Sequence, residues 1–319
     1  MITTVVGSYP PLPKGPSSIL EKFSSFLGAY DEYKPAIELA VHDQIEAGVD
    51  IISDGQVREK MVEIFVKAIP GMAVEDNTPK IIGKILPTQR SICADDLKFA
   101  IKTARRISKK YGPNQGKGLE EGVKGVKGII TGPSTIVFTS RMEGFYKNKD
   151  NAIIDLAHVL KQEAESLEAA GAIYIQIDEP YISTGMVDIT TAKKAVEIIT
   201  RDLSIPTAIH VCGDLTEVFN ELLKFNVDII DCEFTSIPKN MQILENLDLK
   251  GKKIGFGCLN NKTDEVESKE EVEELIKKAI DLVGKENLII DPDCGMRLRS
   301  RDAAFAKLKV MVNAVKDLN

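Results

Sequence analysis

One unit recurs along the chain: an amphipathic helix pattern, a glycine, then a short apolar run that ends in polar residues. It stands as PAIELAVHDQIEAG followed by VDIISDG (35–55), and as AIIDLAHVLKQEAESLEAAG followed by AIYIQIDEP (152–180). In the second helix Ile153, Leu156, Ala157, Leu160, Ala164 and Leu167 recur at three- and four-residue spacings, which lines them along one face. Gly48 and Gly171 take the place of a left-handed helix cap. Further apolar runs, ITTVVGS, VKGIITGP, TAIHVCG, VDIIDCEF, KKIGFGC and NLIIDPDCG, are near-continuous rather than alternating. Such runs suit parallel strands covered on the outside by helices. KEEVEELIKKAIDLVG (269–284) is one such helix, with Ser268 and Glu271 at capping-box spacing. About eight strands predict an α/β fold, the (β/α)₈ TIM barrel, with a doubly wound open sheet as the alternative.

The 319 residues suit a single barrel domain spanning 1–319, since no linker-like stretch divides the chain. The pattern loosens between 56 and 127. There KKYGPNQGKGLEEGVKGVKG (109–128), rich in Gly and Lys, is expected to be a mobile insertion. Its GPNQGKG is not a phosphate loop, because Tyr111 occupies the first glycine position and Gly118 replaces the Ser/Thr. A net charge of −7 supplies no basic face for nucleic acid. No run approaches the roughly 18 apolar residues of a membrane span, and the N-terminus lacks the features of a signal peptide. The expected location is the cytoplasm. Five cysteines in a chain this long do not make a disulfide framework. Each is a buried thiol, a metal ligand or a nucleophile.

Polar residues gather where the apolar runs end: Gly7-Ser8, Asp54-Gly55-Gln56, Asp178-Glu179, His210 with Cys212, Asp231 to Glu233, Asn260-Asn261 and Asp293-Cys294. In a parallel barrel those ends form one face, where active sites sit. His210 and Cys212 share a strand and a side, because side chains alternate with period two. An imidazole, two thiolates and a carboxylate suit a tetrahedral zinc ion. His210, Cys212, Glu233 and Cys294 are therefore the expected ligands of one zinc per chain. Cys232 competes with Glu233 for the fourth place: one of the two faces the mouth, and spacing alone leaves both assignments open. His42 and His158 fall within helices and read as structural; Cys93 and Cys258 read as apolar filler.

Seven motifs then run in order along almost the whole chain: VGSYP (6–10), DGQVREKMVEIF (54–65), TGPSTI (131–136), QIDEP (176–180), HVCG (210–213), DCEF (231–234) and DPDCGM (291–296). In them the chain resembles the catalytic, C-terminal half of cobalamin-independent methionine synthase. It starts directly at that barrel, like the short archaeal "core" form. The resemblance implies the same (β/α)₈ barrel, zinc on His210, Cys212, Glu233 and Cys294, and methyl transfer to L-homocysteine to give L-methionine. It implies that Asp178 meets the substrate ammonium and that Gly7-Ser8 donate to its carboxylate. Gln56 and Thr184 stand where the family carries Glu, which leaves more of the ammonium contact to Asp178 and Glu179. A helix-capping or ion-pair role is the plainer alternative for those two.

A thiol with a pKa of roughly 8.5 is mostly protonated at neutral pH, and zinc binding deprotonates it. Four protein ligands would fill the tetrahedron, so one must yield to the substrate sulfur; Glu233, a hard oxygen ligand, is the expected one. Glu233 and Asp178 are thus the expected catalytic residues. The family's folate-binding Trp and proton-donating His are here Thr139 and Lys262. A methylcobamide leaves without a proton, so these departures favour a methylcobamide donor carried by a separate corrinoid protein. A methyl-tetrahydropterin donor, with Lys262 or Asn261 substituting, is the alternative. Competing readings are a coenzyme M-type thiol methyltransferase, a relative of uroporphyrinogen decarboxylase, and a zinc-binding regulatory barrel.

Overall fold

The structure, a computed structural model, describes residues 1–28, 30–110 and 123–319. Its strands are β1 (Ile2–Thr3), β2 (Ile51–Ile52), β3 (Met72–Glu75), β4 (Thr78–Ile81), β5 (Gly125–Val126), β6 (Gly128–Thr131), β7 (Arg141–Met142), β8 (Ile175–Asp178), β9 (Thr207–Val211), β10 (Ile229–Glu233), β11 (Lys253–Gly257) and β12 (Leu288–Asp291). Seven of them form a parallel sheet in the order β1-β12-β11-β10-β9-β8-β6. That order follows the sequence without reversing, as a barrel requires and a doubly wound sheet forbids. β5 and β6 are two halves of one strand bent at Lys127: the first pairs with β2 and the second with β8. Counting them as one makes eight strands around the ring.

The seam between β1 and β2 closes through side chains. Thr3 donates its amide and hydroxyl to Asp50 at 2.8 and 3.0 Å, and the Thr4 hydroxyl donates to the Ile51 carbonyl at 2.8 Å. β3 and β4 form a hairpin beside the barrel, extended by β7. Its turn residues, Asp76 and Asn77, both have positive φ (49° and 57°), which matches the strand twist.

The helices are α1 (Ile19–Phe26), α2 (Lys34–Ala47), α3 (Glu63–Ala68), α4 (Ala94–Lys110), α5 (Pro133–Thr139), α6 (Lys149–Ala170), α7 (Ile189–Thr200), α8 (Phe219–Leu222), α9 (Lys269–Val283) and α10 (Arg301–Leu318). The expected caps are present: Gly48 and Gly171 at φ 89° and 101°, and the Ser268–Glu271 capping box. None of the described helices is long and apolar enough to cross a membrane.

Among the described residues, 56–110 and 123–127 carry more regular structure than their sequence suggested. α4 buries Leu97, Ala100, Ala104 and Ile107, a three- and four-residue stripe, against α2 and α6. The stretch 109–128 is also not one insertion. Its first two residues finish α4, and Gly125–Val126 and Gly128 belong to the barrel wall. Residues 111–122, with the GPNQGKG sequence, lie outside the described residues.

Strand residues alternate between two environments. Ile52, Ile130, Ile177, Ile209, Ile230 and Cys232 face outward into the main core beneath the helices. Inside the ring, Ile51, Tyr174, Ala208, Ile229 and Ile289 form a separate apolar floor. Above that floor the interior turns polar: Lys127, Gln176, Asp178, His210, Asp231 and Asp291 are all buried there. Gly255 makes room for this layer, since a Cβ at that position would lie 2.7 Å from the Asp231 Cβ.

Candidate active site

His210 and Asp178 lie side by side in the β8–β9 ladder, and His210 lies beside Asp231 in the β9–β10 ladder. Cys294 arrives from the loop after β12. The ligating atoms of His210, Cys212 and Cys294 all fall within 4.8 Å of one another. Neither ring nitrogen of the buried His210 makes a hydrogen bond, although Nδ1 lies 3.3 Å from Asp231 Oδ1. The two thiols shift one another in opposite directions. A hydrogen bond from Cys294 holds Cys212 below the ordinary thiol range, and the same contact, with burial, pushes Cys294 well above it. An orphaned buried imidazole facing two thiols is a donor set suited to zinc.

Glu233 stands outside this three-donor group. Its carboxylate accepts from the Gly213 amide and lies 3.5 Å from Lys262 Nζ. Cys232 faces the other way, fully buried in the outer core. Asn240 braces this corner, donating to the Gly213 carbonyl at 2.9 Å and the Glu233 carbonyl at 2.8 Å. Asp293 ties the β10 loop to the β12 loop by accepting from the amides of Phe234, Thr235 and Ser236. Burial pushes its carboxyl up to about 6 against those bonds.

The expected amino-acid subsite lies alongside. Ser8 packs so closely on Gly295, the neighbour of Cys294, that a Cβ at 295 would collide with the Ser8 hydroxyl. A Cβ at Gly7 would meet Ile129 Cδ1 and, at 2.8 Å, the Gln56 side-chain oxygen. Gln56 is held at φ 41°, a strained value for a non-glycine, with Arg297 donating to its carbonyl at 2.8 Å. Asp178 is 4% exposed and accepts from Gln176 Nε2 at 2.7 Å. Burial raises its carboxyl, while His210, Gln176 and Lys127 pull it back.

Glu179 is not brought into this group. Its oxygens accept from the amides of Ser134 and Thr135 and from the Thr135 hydroxyl, 2.7–2.9 Å away, which caps α5. Burial lifts its carboxyl to about 6 despite these bonds. Gly132 is needed to seat it, since any Cβ there would overlap the Glu179 side chain. Thr184 is exposed and bonds the Tyr181 carbonyl.

Sequence reasoning passed over Lys127, Gln176, Asn240 and Asp291. Asp231 carried a signal that was legible: in DIIDCEF it shares a face with Glu233 by the period of two.

The family model for the catalytic domain of cobalamin-independent synthase matches residues 1–317. The chain is 51% identical over 316 residues to a methionine synthase of Methanothermobacter thermautotrophicus, covering 98% of this chain and 99% of that one. It is 46% identical over 327 residues to a methionine synthase of Methanocaldococcus jannaschii, covering 99% of each. In structure it is similar to a B12-independent methionine synthase from Shewanella sp. W3-18-1 solved with selenomethionine, with TM-score 0.79, 26% identity, and 99% and 97% of the two chains covered. A methyltransferase from Methanosarcina mazei, at 14% identity and TM-score 0.60, shares the fold. With its barrel, its clustered imidazole and thiols and matches that run the length of the chain, this methyltransferase belongs to the cobalamin-independent methionine synthase family, as that family's catalytic domain.

Proposed function

We propose that this chain, acting as one catalytic barrel over 1–319, transfers a methyl group to the thiol of L-homocysteine and releases L-methionine. The observation that carries the reading is the convergence of His210, Cys212 and Cys294 within 4.8 Å, on the same barrel face as Ser8 and Asp178. His210, Cys212 and Cys294 would hold one zinc ion, with Glu233 as the fourth ligand. When bound, zinc would supply the positive charge that keeps the substrate thiol deprotonated at neutral pH.

The residues around it do the rest. Asp178, buried beside His210, accepts the substrate ammonium, and the Gly7-Ser8 amide and hydroxyl donors receive its carboxylate. Glu233, accepting from the Gly213 amide and 3.5 Å from Lys262, would be the donor most readily displaced when the substrate sulfur binds.

The proposed donor is a methylcobamide on a separate corrinoid carrier protein. Thr139 and Lys262, where the family has Trp and His, support it, because a corrinoid leaves without needing a proton. The proposed location is the cytoplasm.

The test mixes metal-analysed protein with methylcobalamin and L-homocysteine and follows the corrinoid spectrum and methionine, with coenzyme M as control thiol. Methionine formation that tracks one zinc per chain and disappears in Cys294→Ser is expected. Activity with coenzyme M alone would overturn the homocysteine assignment. Turnover with methyl-tetrahydropterin but not methylcobalamin would overturn the donor.

A further inference from the structure

Lys127 sits inside the barrel at the bend between β5 and β6 and is 1% exposed. Its ammonium donates to the Val5 carbonyl and to Gln176 Oε1, and lies 5.3 Å from the Tyr174 ring centroid. Gln176, fully buried, continues the line: its Nε2 donates to the Val6 carbonyl at 2.8 Å and to Asp178 Oδ1 at 2.7 Å. In barrels of this kind, branched aliphatic side chains usually fill such a layer. An ammonium buried there costs free energy unless its hydrogen bonds are met. A chain that needed only a packed interior would not spend a lysine at this point.

What the line connects explains its presence. One end is Asp178 at the end of β8. The other is the pair of carbonyls, Val5 and Val6, that lead into Gly7-Ser8. β1 pairs in the ladder only through Ile2 and Thr3, so the segment that follows has little sheet to hold it. Thr4 still donates its amide to Ile290, and Ser53 its hydroxyl to the Gly7 carbonyl at 2.6 Å. Lys127 and Gln176 take the two carbonyls in between.

We infer that Lys127 is a positioning residue that, through Gln176, sets the separation of Asp178 from Gly7-Ser8 and thereby selects thiols bearing an α-amino-acid end. The inference rests on the amino-acid reading of the site proposed above. In an α-amino acid the ammonium and carboxylate leave the same carbon, so their spacing is fixed. Two protein segments from strands that are not neighbours must match it to about 0.5 Å.

The experiment compares wild type with Lys127→Met and Gln176→Met. The second variant cuts the link to Asp178 while leaving Lys127 on Val5, and so serves if the first fails to fold. Thermal unfolding and zinc content establish that each variant is folded and loaded. Calorimetry then measures L-methionine binding, and methyl transfer is followed to L-homocysteine and to 1-propanethiol, which lacks the amino-acid end. The expected result is L-methionine affinity and homocysteine KM worse by about tenfold or more, with kcat and propanethiol transfer close to wild type. Equal losses toward both thiols, or unchanged L-methionine affinity in folded variants, would overturn the inference. A wild type that does not prefer homocysteine to propanethiol would overturn the amino-acid reading itself, and the inference with it.

Discussion

Glu233 and Cys232 are adjacent and have opposite fates. The carboxylate reaches the Gly213 amide at the mouth, while the thiol is sealed beneath the helices. Glu233→Gln keeps the size and the Gly213 contact but removes the charge. Metal analysis should find zinc retained while turnover with homocysteine falls by about 10–100-fold; loss of the metal would instead make Glu233 a structural ligand. The triad of His210, Cys212 and Cys294 was legible because soft donors are scarce in this chain and two of them sit two apart on a strand. Lys127 was not legible, since one lysine inside VKGIITGP looks like the wet end of a strand. Its direction shows only once Val126 and Ile130 are seen to pack in the outer core, which by alternation turns Lys127 into the ring. Glu179 was half legible. The Asp-Glu pair marks a strand end, but alternation sends one carboxylate to the site and the other to the α5 cap.

At the level of elements, the readable helices carry a left-handed glycine cap or a capping box at one marked end. α2, α6 and α9 announce themselves through Gly48, Gly171 and the Ser268–Glu271 box. α4 hides its stripe of Leu97, Ala100, Ala104 and Ile107 among charged residues, and its C-terminal end runs into residues outside the described set. α1 has a capping box of its own, in which Glu21 accepts from Ser17 and from the Ser18 amide at 2.8 Å. Hydrogen bonds from Ser18, then Ser17, hold its carboxyl down at about 2 against an ordinary value of 4.5. A depressed folded pKa means the box supports the helix above the ordinary value and is lost as pH falls from about 4.5 to 2. NMR titration of the Glu21 carboxyl should give a midpoint near 2, with the Ser18 amide shifting in step. A midpoint at the ordinary value would show that the box does not form.

Across the whole molecule, the barrel was readable from its repeating unit, but the way it shuts was not. The ring closes at β1 and β2 through Thr3, Thr4 and Asp50, not through a backbone ladder, and Asp50 also lies 3.5 Å from Lys124. Asp50→Ala should leave the Thr3 amide and hydroxyl without their acceptor, at a cost of about 1–3 kcal/mol. A thermal scan should show Tm lower by several degrees, at about 2–4 °C per kcal/mol for a protein of this size class. An unchanged Tm would mean that the seam is held elsewhere.

Ser8 lies against Gly295, so the first strand and the loop after the last one make a single site. A ribosome delivers Ser8 and Cys294 far apart in time, because most of the barrel lies between them in the sequence. The nascent chain carries Ser8, then Asp178, then His210 and Cys212, before the Cys294 thiol is added. An unfinished polypeptide can offer a passing metal ion only two of the three clustered donors. Until Cys294 is made the cluster is incomplete, and a product truncated before it would lack one of the three donors proposed to hold zinc.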